Sequence, residues 1–227
     1  MAERSSWKTV YNSITHSRPL TVTTFAYPAK ERVHIDTILG AFLEAVEMSE
    51  LRNNLSYCIH ELAGNAKRAN IKRLYFREQN LDIFDETEYS RGMESFKGSI
   101  THQIHHYEAA LKEEGLYVKF QFRRLPNGVQ ISVRNNSLPA PREMERVKEK
   151  LAIAGSHRTL AEAYSSTADE LEGAGLGIVM MVFMLRSMGF PQRVFDLGTL
   201  GEETVATLNL LRPDEAGEGD ALIVAPA

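Results

Sequence analysis

Between residues 51 and 69 the apolar side chains Leu51, Leu55, Cys58, Ile59, Leu62, Ala66 and Ala69 recur at three- and four-residue steps. That spacing predicts an amphipathic helix with one face in a core, and Ser49 is placed to cap it. Glu61 and Asn65 stand at i and i+4 in His60-Glu61-Leu62-Ala63-Gly64-Asn65-Ala66. They therefore share a helix face, beside the apolar stripe and at the edge of the core. A carboxylate and a carboxamide so placed can hold a Mg²⁺ and activate a hydroxyl. Far downstream, Gly173-Ala174-Gly175-Leu176-Gly177 opens an apolar helix. Free amides and the positive dipole end at such a turn suit phosphate. The two features together read as a nucleotide site.

The rest of the pattern supplies a frame for that site. Trp7, Val10, Tyr11 and Ile14 predict a short amphipathic helix over 3–15, and Leu20 to Tyr27 alternates like a strand that Pro28 ends. Val33, Ile38, Leu39, Phe42, Leu43 and Val46 mark a second helix. Residues 78–114 are polar and helical in pattern, with Phe96, Ile100, Ile104, Tyr107 and Leu111 on one face and Gly115 as the stop. Asn127-Gly128 between the runs 116–125 and 129–134 signals a hairpin. Met144, Val147, Leu151 and Ile153 fit another helix, His157 to Leu171 reads as a polar lid, and Gly175 to Met188 as a buried helix. Gln192–Leu197 and Glu203–Leu210 close the pattern as strands. The expectation is α+β: a two-layer sandwich, its mostly antiparallel, mixed sheet covered by helices. It divides into an N-terminal helical extension (1–17), one domain (18–211) with a helical insertion near 78–114, and a loosely ordered tail (212–227).

Composition narrows the function. A length of 227 residues with 43% hydrophobic and 25% charged residues suits a globular domain with a sizeable core. A net charge of −4 speaks against a dedicated nucleic-acid binder, and Lys67, Arg68, Lys72, Arg73 and Arg77 read as a solvated helix face. The single cysteine, Cys58, sits among apolar positions as a buried thiol and leaves no internal disulfide. No apolar run reaches the ~18 residues of a membrane span and no apolar leader is evident, so the expected location is the cytoplasm, with no membrane partner.

The glycine turn fits neither familiar phosphate motif. It reads G-x-G-x-G after a polar segment, not G-x-G-x-x-G after a strand, and no Lys-Ser/Thr follows. Combined with Glu61 and Asn65, however, it resembles the GHKL superfamily of histidine kinase-like ATPases, which includes gyrase, the mismatch-repair ATPases and histidine kinases. The likeness spans about residues 18 to 211 and is closest to the stand-alone anti-sigma serine kinases. Glu61-Leu62-Ala63-Gly64-Asn65-Ala66 resembles the N-box E-x-x-x-N-A, and Gly173-Ala174-Gly175-Leu176-Gly177-Ile178 resembles the box G-x-G-L-G-I. The resemblance implies a Bergerat-type fold and ATP with Mg²⁺ as ligands. It makes Asn65 the metal ligand and Glu61 the general base, with Gly173, Gly175 and Gly177 on the phosphates. Asn135 and Thr204 fall at the adenine. It also implies a signalling partner: an anti-sigma-type target, a response regulator or an anti-anti-sigma-like protein. A homodimer is compatible with it.

The chain departs from the family at the first glycine box. Where D-x-G-x-G is usual, it has Asn135-Asn136-Ser137-Leu138-Pro139. Asn135 offers one carbonyl acceptor without charge assistance, and Pro139 fixes φ and lacks an N–H. Two readings therefore stay open: an ATP-dependent kinase or ATPase, and a degenerate module that regulates its partner by contact. A complete histidine kinase is not expected, because His60 lies inside the helix rather than on a preceding dimerising hairpin. His102 and His106 share a helix face but lack further metal ligands in the sequence.

Overall fold

The structure, a computed structural model, describes residues 12, 18–166 and 176–212, with the side chains of Lys97, Thr101, His102 and Gln192 left aside. The helix expected over 3–15 and most of the tail lie outside the described residues, as do Gly173 and Gly175. In chain order the elements are β1 (Leu20–Thr24), α1 (Ala29–Ala45), α2 (Arg52–Glu78), α3 (Glu86–Glu113), β2 (Val118–Leu125) and β3 (Gly128–Asn135). There follow α4 (Pro141–Ser156), α5 (Leu160–Ser166), α6 (Leu176–Ser187), β4 (Phe195–Leu200) and β5 (Glu203–Leu211).

The five strands form one sheet in the order β1-β2-β3-β5-β4, antiparallel at every pairing. The α+β two-layer arrangement expected from the sequence is what the chain adopts, but among the described residues the sheet is wholly antiparallel and not mixed. Period-two alternation decides which face is covered. Phe120, Phe122, Ile131, Val133 and Leu208 point into the core, where Leu39, Phe42 and Leu43 of α1 and Leu55, Ile59 and Leu62 of α2 meet them. The rings of Phe42 and Phe122 lie 5.6 Å apart, centroid to centroid. Lys119, Gln121 and Arg134 face the other way. Burial of each large core side chain contributes roughly 1.5–3 kcal/mol, so this layer contact holds the site's scaffold rigid.

Two smaller cores flank the first. The insertion helix α3 packs on the distal half of α2 through Tyr75, Phe76, Phe96, Tyr107 and Leu111. Asp85 caps α3 by accepting the Glu88 N–H at 2.8 Å, and the helix bends at Gln103, where φ is −120° and ψ is 18°. Gly115, at φ +66°, ends it as expected. Ala154 of α4, Ala163 of α5 and Val179 and Val182 of α6 form the third core. Part of the polar segment expected as a lid, residues 160–166, is therefore a short helix seated on α6.

Several boundaries differ from expectation. β1 stops at Thr24 and Tyr27 adopts φ +51°, which turns the chain into α1. Ser49 does not cap α2 with its side chain: Ser49–Leu51 is a single 3₁₀ turn, and α2 begins at Arg52. Gln192–Val194 is likewise a 3₁₀ turn, which leaves β4 to start at Phe195. The solvated basic face is corrected at three positions. Lys67 is half-buried against Glu108 at 2.7 Å, and Lys72 and Arg73 are half-buried and share Glu143, at 2.7 and 2.6 Å respectively.

Candidate functional site

The site is built along α2. Glu61, Asn65 and Arg68 follow one another on a single face, and their side chains are joined: Asn65 Nδ2 donates to Glu61 Oε1 at 3.2 Å, and Arg68 Nη2 donates to Asn65 Oδ1 at 2.6 Å. Arg68 Nη2 is also 3.6 Å from Glu61 Oε1. A guanidinium thus occupies the space between the two groups expected to face Mg²⁺. The donor set accepts a positive charge, which is what a Mg²⁺ site must do. Arg68 is 57% exposed, so the attachment is a surface one.

α6 enters this cluster at its first turn. A Cβ on Gly177 would lie 2.0 Å from Glu61 Oε1 and 2.1 Å from Glu61 Cδ. A side chain at 177 would have to push the Glu61 carboxylate aside, so the first turn of α6 and Glu61 are in direct contact. Tyr57 OH donates to Met180 Sδ at 3.5 Å across the same helix pair. Gly173 and Gly175 lie outside the described residues.

A second half of the site lies farther along α2. Asn135, the last residue of β3, pairs in register with Thr204 of β5, and both reach Ser137. Thr204 Oγ1 donates to the Ser137 carbonyl at 2.5 Å, and Asn135 Nδ2 approaches the same oxygen at 3.4 Å. Asn135 Nδ2 also donates to Asn70 Oδ1 at 3.1 Å, which takes the Ser137 hydroxyl at 2.7 Å as well. Asn70 Nδ2 in turn donates to the Tyr117 carbonyl at 2.9 Å. Asn70, Asn135 and Ser137 are all buried, and the low local dielectric strengthens the bonds among them. Asn70 is the residue that sequence reasoning missed. Its signal was a polar side chain one turn past Ala66, where the apolar stripe of α2 would continue.

Behind Glu61, His60 is held at both ring nitrogens. Nδ1 meets the Tyr27 hydroxyl and Nε2 lies 2.9 Å from Asp36 Oδ1, which also accepts from Ser56 Oγ at 2.5 Å. Burial pushes the Tyr27 hydroxyl up, so it stays a donor. The cluster ties α2 to α1 one residue from the candidate base. Cys58 is fully buried, and burial pushes its thiol up to about 12, which makes it an inert packing group. Among the described residues no group of three or more His, Cys, Asp or Glu is arranged to hold a metal, and His106 Nε2 sits 3.1 Å from Glu78 instead. No helix among them is long and apolar enough to cross a membrane.

No family model matches the chain, and no solved structure matches it. It is similar to an uncharacterized protein of Treponema pallidum (strain Nichols), with 38% identity over 190 residues. That alignment covers 84% of this chain and 37% of the relative, so the chain spans little more than a third of the relative's length.

Proposed function

We propose that this chain is a cytoplasmic signalling module of the GHKL kind that binds a Mg²⁺-nucleotide, ATP by the resemblance, on the face of α2 that carries Glu61 and Asn65. The convergence of Glu61, Asn65 and Gly177 carries the reading: a base, a metal-ligating carboxamide and the first turn of an apolar helix meet at one point. Asn65 Oδ1 would hold the Mg²⁺, which would neutralise phosphate charge. The amides of the α6 first turn would face the phosphates. Glu61, oriented by the Asn65 amide, would accept the proton of a Ser or Thr hydroxyl on a partner protein as the γ-phosphoryl group is transferred. Such transfer rests on positioning and charge stabilisation. Calorimetric titration with Mg-ATP tests the reading: saturable binding that Asn65→Ala removes is expected, and a flat titration at millimolar ligand rejects it.

One observation favours a second reading. The polar atoms of Asn135, Ser137 and Thr204 on the adenine side are engaged with one another and with Asn70. An intact network of this kind suits a module that acts on its partner by contact, without nucleotide. Under that reading Asn65→Ala leaves partner binding unchanged, with or without ATP.

A further inference from the structure

Past the Asn70 network, a cavity of about 410 Å³ opens between the distal end of α2, the α2–α3 connection and the residues that follow β3. Its size lies within the range of small-molecule sites, roughly 300–1,000 Å³. The floor is apolar and already buried: Phe76, Ile83 and Leu116. The lips are apolar and exposed, Phe84 at 54% and Leu138 at 39%. Large apolar side chains left in water around one concavity mark a binding surface more strongly than scattered ones do.

The α2 wall is cationic. Arg73 and Arg77 stand one turn apart and both line the cavity. Arg73 and Lys72 share the single carboxylate of Glu143, which leaves one half-buried positive charge in excess, screened less than a surface charge. Among the described residues Arg77 is held only by Glu114, and both side chains are at least half exposed. Such a surface pair is weak and re-forms readily with another anion. Asp82 and Glu202 line the cavity as well and are exposed, so solvent screens them. An apolar floor beside the re-pairable Arg77 suits an amphipathic anion.

We propose that this cavity binds a small amphipathic organic anion, an aromatic or aliphatic body bearing a carboxylate, sulfonate or phosphate. The body rests on Phe76, Ile83 and Leu116 between the Phe84 and Leu138 lips, and the anionic group pairs with Arg77. The site is separate from the Glu61–Asn65 cluster, from which Arg73 is two turns removed along α2. It does not depend on that cluster binding nucleotide. Ser137 is the link between the two, because it lines the cavity while its hydroxyl and carbonyl hold Asn70 and Thr204.

The probe is 1-anilinonaphthalene-8-sulfonate, titrated by fluorescence into the full chain under conditions where near-ultraviolet circular dichroism is native. Saturable binding at one site per chain is expected. Phe84→Ser should weaken it about tenfold or more, as loss of a buried aromatic face does, and Arg77→Glu by about fivefold or more. Tyr164→Ser, which removes an exposed aromatic elsewhere, should leave it unchanged. Unsaturable fluorescence, indifference to Phe84→Ser and Arg77→Glu, or equal affinity for uncharged 1-anilinonaphthalene overturns the proposal. Displacement of the probe by Mg-ATP would merge the cavity with the nucleotide site and overturn its separateness.

Discussion

Gly177 presses on Glu61 so closely that a methyl group at position 177 would lie 2.0 Å from the carboxylate oxygen. The contact couples the position of α6 to the orientation of the candidate base. Gly177→Ala is therefore expected to turn the Glu61 carboxylate away from Asn65, at a cost of about 1 kcal/mol, because the displaced atoms end a flexible, partly exposed side chain. Gly64→Ala is the internal comparison. It lies on the same helix, but its added Cβ would meet nothing nearer than Arg68 Nη1 at 3.8 Å. That substitution should stabilise α2 by about 0.5–1 kcal/mol. Thermal melts of the two variants should move in opposite directions.

Glu143 makes a prediction about acid. Burial alone would raise its carboxyl, but the hydrogen bonds and charges of Arg73 and Lys72 overcome this and hold it down at about 2. Burial meanwhile pushes the Lys72 ammonium below the usual lysine range, with Glu143 pulling it back. The two directions agree with one carboxylate serving two cations. A carboxyl depressed in the folded state stabilises the protein above its unfolded value, near 4.5, and loses that contribution as pH falls toward 2. The unfolding free energy from denaturant titration should fall across that window by an amount on the order of 3 kcal/mol. Glu143→Gln should lower stability at neutral pH and flatten the acid limb.

The same residues mark the limit of what the sequence revealed. The α2 stripe, the Asn127-Gly128 hairpin and the Glu61–Asn65 pair were legible because their signals are local: a helical period, a turn dipeptide, an i, i+4 spacing. The fate of Lys72 and Arg73 was not, since their carboxylate lies 70 residues away from Arg73 at the start of α4. Asn70 was hidden for the same reason, as its partners arrive from β3 and the segment after it. Ser49 had the right chemistry for a cap and the wrong backbone, because the 3₁₀ turn hands the helix start to Arg52.

Arg68 is placed to compete with a metal. Its guanidinium rests on the oxygen atoms of Asn65 and Glu61, so a divalent cation at Asn65 has to displace it. Arg68→Ala should lower the Mg²⁺ concentration for half-maximal ATP binding by up to about fivefold, the factor that ~1 kcal/mol of an exposed ion pair supplies. Calorimetric titrations of ATP at a series of Mg²⁺ concentrations measure it. If both proteins bind ATP with the same Mg²⁺ dependence, Arg68 is no competitor. If neither binds, the nucleotide reading itself fails.

The partners of Asn135 show why an amide, and not a carboxylate, suits this position. Its Nδ2 faces two acceptors, Asn70 Oδ1 at 3.1 Å and the Ser137 carbonyl at 3.4 Å. A carboxylate there would set oxygen against oxygen in a buried site. Asn70 cannot relieve this by turning its amide, because Nδ2 is committed to the Tyr117 carbonyl and Oδ1 to the Ser137 hydroxyl. Asn135→Asp should therefore cost on the order of 1–3 kcal/mol at neutral pH. The buried carboxyl would titrate above its unfolded value. The penalty would apply above that raised pKa and shrink as pH falls through it, once the protonated acid donates in place of the amide. Guanidinium midpoints of the variant and its parent, compared at pH about 7.5 and about 5, should converge at the lower pH. A gap that stays constant would mean that the network had opened to admit water. In that case ATP titration of the same variant shows whether the opened site gains affinity for nucleotide.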